Sequence, residues 1–161
     1  MVKVLFVCLG NICRSPMAEG IFNAKIKALG LEKSIRADSA GTSDFHIGEL
    51  PDERTLHCAE KHGVAINHRG RQVHRTDFRD FTYIIAMDDN NLRNLQHLKV
   101  RNNFPDKEIF LMRNFASGAA GLPVPDPYYG GVEDFEEVFT ILDEAVTGLV
   151  AHLLETHELK A

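Results

Sequence analysis

The chain opens on Val2 to Cys8 (VKVLFVC), an almost unbroken apolar run rich in β-branched residues. It lacks polar alternation, which predicts a central parallel strand buried on both faces. Ser15 and Pro16 then mark a helix start, with Ser as N-cap and Pro at the first helical position. Met17, Ile21, Phe22 and Leu29 follow at near-helical spacing before Gly30 stops the helix. Residues 34–40 predict a second strand, and residues 51–62 a helix terminated by Gly63. Residues 81–87 (FTYIIAM) predict another buried strand, residues 88–98 a polar helix, and residues 107–112 a fourth strand. From Val132 to about residue 157, Phe135, Val138, Phe139, Leu142, Val146, Leu149, Val150 and Leu153 recur at helical spacing and predict a long amphipathic closing helix. Strands alternating with helices predict an α/β fold: an open, mostly parallel, four-stranded twisted sheet flanked by helices. Ligands of such sheets bind beyond the carboxyl ends of the strands, where Cys8 falls.

Composition narrows the picture without changing it. With 161 residues, 44% hydrophobic and 25% charged, the chain suits one domain spanning residues 1–161 with a substantial core. A formal charge of -5 argues against a nucleic-acid partner, which needs a basic face. The apolar run from Val4 to Leu9 is too short for a membrane span and has no cleavage-site pattern. Three cysteines, Cys8, Cys13 and Cys58, are too few and too odd in number for a disulfide framework, which predicts a cytoplasmic protein with reduced thiols. No CxxC pair or Cys/His cluster has recognisable zinc spacing, and neither His57/His62 nor His68/His74 is an i,i+4 pair. No metal and no cofactor is expected.

The chemistry concentrates in Cys8-Leu9-Gly10-Asn11-Ile12-Cys13-Arg14-Ser15, the predicted phosphate-binding loop after strand 1. A loop between a buried strand and a helix N-terminus can curl its backbone N–H groups inward and, with the helix dipole, cradle a tetrahedral anion. Gly10 permits tight curvature, and Asn11 tolerates a left-handed backbone. The same donors and the Arg14 charge stabilise a sulfur anion, so Cys8 is a candidate nucleophile. Arg14 presents a planar fork for two phosphate oxygens, which Lys cannot match. Ser15 can donate a hydrogen bond to the sulfur. Cysteine as a small strand-end hydrophobe and arginine as a solvated loop charge are the ordinary alternatives, and the joint pattern outweighs them.

Displacing a phenolate needs a proton donor, and the best candidate is Asp126. It lies in Pro125-Asp126-Pro127-Tyr128-Tyr129-Gly130-Gly131, a loop shaped by two prolines and two glycines. Without the adjacent tyrosines it would pass for a turn aspartate before a helix. Their flat rings can wall a slot for an aryl group.

Together these motifs make the sequence resemble the low-molecular-weight protein tyrosine phosphatases over essentially the whole chain. Asp38-Ser39-Ala40-Gly41-Thr42 and Ala86-Met87-Asp88 are further matching segments. The resemblance implies hydrolysis of phosphotyrosine monoesters through a phosphocysteine formed on Cys8. Arg14 would bind the phosphate, and Asp126 would act first as acid and then as base for water. Asn11, Ser15, Ser39 and His68 match positions of a hydrogen-bond network bracing the loop, and Leu9, Phe45, Tyr128 and Tyr129 match positions lining the entrance. Phe45 stands where relatives often carry Tyr or Trp, so stacking is kept and a polar tip is lost. Asp88 matches an acidic residue secondary to the acid loop. Cys13 matches a second cysteine thought to capture oxidised Cys8 in a disulfide; on the residues alone, packing beneath the loop is an equal reading. Partners are then phosphotyrosine-containing proteins or small aryl phosphates, with inorganic phosphate as product and weak inhibitor.

Two rivals share the fold. Arsenate reduction needs further cysteines to relay oxidation, and none follows Cys58. Phosphoarginine hydrolysis belongs to a related branch that typically has Thr at the position of Ile12, whose apolar side chain favours an aryl ester. An inactive phosphopeptide binder would be expected to lack Cys8 or Asp126, and both are present.

Overall fold

The computed structural model describes residues 1–161. Its sheet has four strands: β1 (Val2–Cys8), β2 (Ile35–Gly41), β3 (Tyr83–Ala86) and β4 (Ile109–Leu111), in the order β2-β1-β3-β4. Every pairing is parallel, so the expected mostly parallel sheet is wholly so. β1 is central, pairing Val2 with Ile35 on one side and Val4 with Tyr83 on the other.

The helices are α1 (Arg14–Ala28), α2 (Glu53–Lys61), α3 (Asp77–Asp80), α4 (Asp89–Arg101) and α5 (Val132–Thr156). Because successive strand residues point to opposite faces, β1 feeds two cores. Val4, Phe6 and Cys8 join the larger one, with Met17 and Phe22 of α1, Cys58 of α2 and the apolar stripe of α5. Leu5 and Val7 join the smaller one, with Phe78 of α3 and Leu95 of α4. Burial on both faces is the reason the strand reads as a continuous apolar run.

Two expectations need correction. α1 begins at Arg14, not after Ser15, with Cys13 as N-cap and no side-chain cap. The Ser15 hydroxyl is instead directed at the Cys8 sulfur, so a residue type that usually caps a helix serves the loop. The sequence reading also passed over α3 and a 3-10 turn at Met112–Phe115, both too short to carry a periodic signal. Elsewhere helix and strand ends differ from expectation by a few residues. α4 runs on to Arg101, and its N-cap is Asp88, whose side chain accepts a hydrogen bond from the Asn91 N–H.

The strand order reverses direction at β1. The crevice beyond the carboxyl ends of β1 and β3 is the switch point where sheets of this topology hold ligands. Residues 8–15 lie there.

Candidate active site

The loop after β1 is bent by Asn11, whose φ of 57° lies in the left-handed region. Asparagine tolerates that conformation, and here its buried side chain uses its whole hydrogen-bonding capacity. Its Nδ2 donates to Ser15 Oγ at 2.8 Å and to Ser39 Oγ at 3.0 Å. Its Oδ1 accepts from the Arg71 backbone N–H at 3.0 Å and lies 2.7 Å from His68 Nε2, which therefore donates. Since Ser15 Oγ accepts from Asn11, its own proton is free to point at Cys8 Sγ, 3.0 Å away. The result is a directed relay, from His68 to Asn11 to Ser15 to the sulfur.

Adjacent segments lace the loop in place. Thr42 and Ser43 donate backbone N–H bonds to the carbonyls of Cys8 and Leu9, and Asp52 donates to that of Ile12. Gly41 must be glycine for this, because a Cβ there would stand 2.7 Å from the Leu9 carbonyl oxygen.

Arg14 is almost fully buried and projects from the first turn of α1. Its Nη1 donates to Asp88 Oδ2 at 2.6 Å and to the Val124 carbonyl at 3.1 Å, while Nη2 lies 3.6 Å from Asp126 Oδ2. Burial alone would lower the Arg14 pKa, but the negative charges of Cys8, Asp88 and Asp126 and the hydrogen bond to Asp88 raise it above its ordinary value. Asp88 thus holds the guanidinium from beyond β3. The resemblance ranks Asp88 as secondary to the acid loop, and its partner lies 74 residues away in sequence.

The loop carrying Asp126 crosses the same crevice. Leu9, Phe45, Asp126, Tyr128 and Tyr129 line, with the phosphate loop, a cavity of about 340 Å³ whose floor includes Cys8 and Arg14. The Tyr128 and Tyr129 rings meet edge to face with centroids 5.0 Å apart. Ile12 and Cys13 also face this cavity. Ser39 and His68 do not line it and reach the sulfur only through Asn11 and Ser15. Cys13 is a free buried thiol, pushed up to about 12 foremost by burial, with the Thr55 hydroxyl pulling the other way.

Sequence reasoning missed three residues. Arg54 donates to the carbonyls of Tyr128 at 2.9 Å and Gly130 at 3.0 Å, and is itself held by Asp52. It therefore tethers the acid loop to α2. Glu19 sits under the phosphate loop, accepting from Ser39 Oγ at 2.7 Å and lying 3.2 Å from His68 Nδ1. His46 walls the cavity beside Gly10, where a Cβ would meet its ring at 3.1 Å. None belongs to a local motif; a buried glutamate on an otherwise apolar helix face was the one readable signal. Glu19, Asp38 and His68 converge closely enough for a metal, but Ser39, Asn11 and Arg71 already occupy their polar atoms. They brace the loop.

A strand, an anion-cradling loop and a helix, with a cysteine at one end of the loop and a buried arginine at the other, define the class of phosphate-loop α/β proteins. Comparison narrows this to one family. The model of low molecular weight phosphotyrosine protein phosphatases matches residues 3–159, and the chain belongs to that family. A low molecular weight protein-tyrosine-phosphatase of Streptomyces coelicolor is 42% identical over 161 residues, covering 99% of this chain and 98% of that one. The low molecular weight phosphotyrosine protein phosphatase of Saccharomyces cerevisiae is 41% identical over 139 residues, 86% of each chain. Among solved structures, a protein tyrosine phosphatase of Entamoeba histolytica with Hepes in its active site superposes with a TM-score of 0.86 at 37% identity, covering 99% of this chain and 100% of that one. A Drosophila arginine phosphatase gives 0.88 at 34% identity, covering 94% and 97%.

Proposed function

We propose that this protein hydrolyses phosphotyrosine monoesters through a phosphocysteine intermediate. One observation carries the reading: Cys8, Arg14 and Asp126 share a single cavity, with Asp126 held 3.6 Å from the arginine that would clamp the phosphate. The phosphate oxygens sit among the loop N–H groups and the free edge of Arg14, while Asp88 fixes the other edge. The Cys8 sulfur attacks phosphorus and a phosphorus–sulfur bond forms as the bond to the tyrosine oxygen breaks. Asp126 gives its proton to the departing phenolate. The carboxylate left behind takes a proton from water, which attacks the phosphocysteine and releases inorganic phosphate and the thiolate. The Ser15 hydroxyl stabilises the sulfur as it leaves, and the loop donors stabilise the charge gathered on the equatorial oxygens. No step calls for a metal or a cofactor.

Leu9, Phe45, Tyr128 and Tyr129 supply the walls that hold the aryl ring of a phosphotyrosine protein or small aryl phosphate, and inorganic phosphate is a weak competing ligand. The acidic chain favours protein rather than nucleic-acid partners. No helix is long and apolar enough to cross a membrane, and three free thiols suit the cytoplasm.

Phosphoarginine hydrolysis is the second reading, favoured by the likeness to the Drosophila enzyme. Ile12 argues against it by giving the cavity an apolar surface. Initial rates on peptides bearing phosphotyrosine, phosphoserine and phosphoarginine decide between them. Preference for phosphotyrosine, with phosphate trapped on Cys8 in a rapid acid quench, is expected. A faster phosphoarginine reaction overturns the assignment.

A further inference from the structure

A second cluster of reactive side chains lies behind the acid loop, where α2 meets the start of α5. Cys58 is on α2, His62 follows four residues later at its C-cap, and Glu136 is on the facing turn of α5. One ligand atom from each lies within 4.8 Å of the others. The spacing that places two side chains on one helix face is there, between a cysteine and a histidine rather than two histidines. We propose that Cys58, His62 and Glu136 form a binding site for a zinc-class divalent cation.

The donor set of one thiolate, one imidazole and one carboxylate suits Zn²⁺, which takes these ligands at about 2.0 to 2.3 Å in tetrahedral geometry. The parts are already oriented. The His62 ring stacks on Phe139 with centroids 3.9 Å apart and planes 11° apart, which aims Nε2 at Glu136 Oε2, 2.7 Å away. Lys61 holds the other carboxylate oxygen, Oε1, at 2.8 Å. Hydrogen bonds from Lys61 and His62 hold the Glu136 carboxyl down at about 2. Cys58 is buried, with its thiol donating to the Phe135 carbonyl at 3.6 Å. A cavity lined by Arg54, His57, Cys58, Lys61, Val132 and Phe135 opens on the Cys58 side of the cluster. On binding, the metal replaces the Cys58 thiol proton and the proton between His62 and Glu136. Both leave to solvent, so affinity rises with pH.

The site would join the helix that tethers the acid loop, through Arg54, to the helix that the loop runs into. Occupancy is read independently of catalysis by titrating the full chain with Co²⁺ at neutral pH and following thiolate-to-cobalt charge-transfer absorption. One equivalent is expected to bind, to be displaced by Zn²⁺ and to persist in Cys8→Ser. Cys58→Ser should lose the band. Glu136→Gln, which keeps the side-chain shape, should weaken binding by about tenfold or more and lose most of the rise in melting temperature that Zn²⁺ gives the wild type. A band lost in Cys8→Ser and kept in Cys58→Ser would place the metal at the catalytic cysteine and overturn the proposal. So would the absence of a band in the wild type, or equal affinity in Glu136→Gln.

Discussion

The two halves of the active site are built in opposite ways. In the phosphate loop, Asn11, Arg14 and Ser15 are almost wholly buried, and every polar atom of the Asn11 side chain has a partner. In the acid loop, the Asp126 side chain is 43% exposed and Tyr129 is 94% exposed. That loop is held by its own turn, by the contact of Asp126 with Arg14 and by two hydrogen bonds from Arg54. The difference follows from what each half must do. Stabilising charge on a transferring phosphoryl group requires donors fixed in advance, in a site that does not relax around the anion. A proton donor has to admit substrate, deliver a proton and then admit water, which a solvent-facing loop permits.

If that division is right, substitutions in the two halves differ in kind. The largest effect is expected from Cys8→Ser, where an alcohol fills similar space but is a poor nucleophile. Turnover of phosphotyrosine should fall by more than about 10⁴-fold while phosphate binding, measured by calorimetry, survives. Appreciable hydrolysis by that variant would remove Cys8 from the centre of the fixed half. Next comes Asp126→Asn, which keeps the exposed loop and removes its proton. Aryl phosphates with basic leaving groups should slow by about 10² to 10⁴-fold, and activated ones by far less. A uniform loss across a leaving-group series would make Asp126 a structural residue and the contrast between the halves false.

A smaller effect sharpens the comparison at the tether. Arg54 also stacks over Phe135 at 4.6 Å, so Arg54→Met keeps apolar cover while removing the bonds to Tyr128 and Gly130. Loss on the order of tenfold is expected for basic leaving groups, with the pre-steady-state burst retained for activated esters, because only acid positioning is disturbed. Equal loss of burst and steady-state rates would show that the tether serves both halves.

The two halves also differed in how readable they were. Cys8, Asn11, Arg14 and Ser15 fall within eight consecutive residues between a buried strand and a helix start, and that location together with their spacing exposed their chemistry. Asp126 and its tyrosines formed a second local motif. Arg54, Asp88 and Glu19 act across 74, 74 and 20 residues of sequence; Glu19 stands out only as a carboxylate among apolar positions of α1, Asp88 only through the family resemblance, and Arg54 not at all. Ser39 and His68 lie just as far off and were identified through the family resemblance, not through their neighbours. The Ser15-Pro16 pair misled in the opposite direction, since its cap-like pattern marked the serine that serves the sulfur. Cys58 and His62 show no recognisable zinc spacing in the sequence, and only the approach of α5 brings Glu136 beside them.

The smallest predicted effect tests whether the rigid half rests on a single proton. His68 Nε2 donates to Asn11, so its Nδ1 faces Glu19 either protonated or as an acceptor, and one proton serves the pair. Burial pushes Glu19 up to about 7 and His68 below its ordinary value, which favours a protonated Glu19 beside a neutral imidazole. A carboxyl whose folded pKa exceeds its unfolded value of about 4.5 binds more protons folded than unfolded between those values. Its stabilising contribution is therefore complete below about pH 4.5 and is lost as pH rises through about 7. Glu19→Gln removes the titrating carboxyl while keeping its shape; a single amide atom then replaces Oε1, the atom that faces both Ser39 Oγ and His68 Nδ1. The wild type should lose stability relative to this variant between pH 5 and pH 8 by an amount on the order of 3 kcal/mol at most, with other carboxylates cancelling in the difference. Paired urea melts across that range measure it. Parallel stability curves would mean that the Glu19 carboxyl titrates alike in the folded and unfolded chains, and the brace under the phosphate loop would then not hold a proton there across neutral pH.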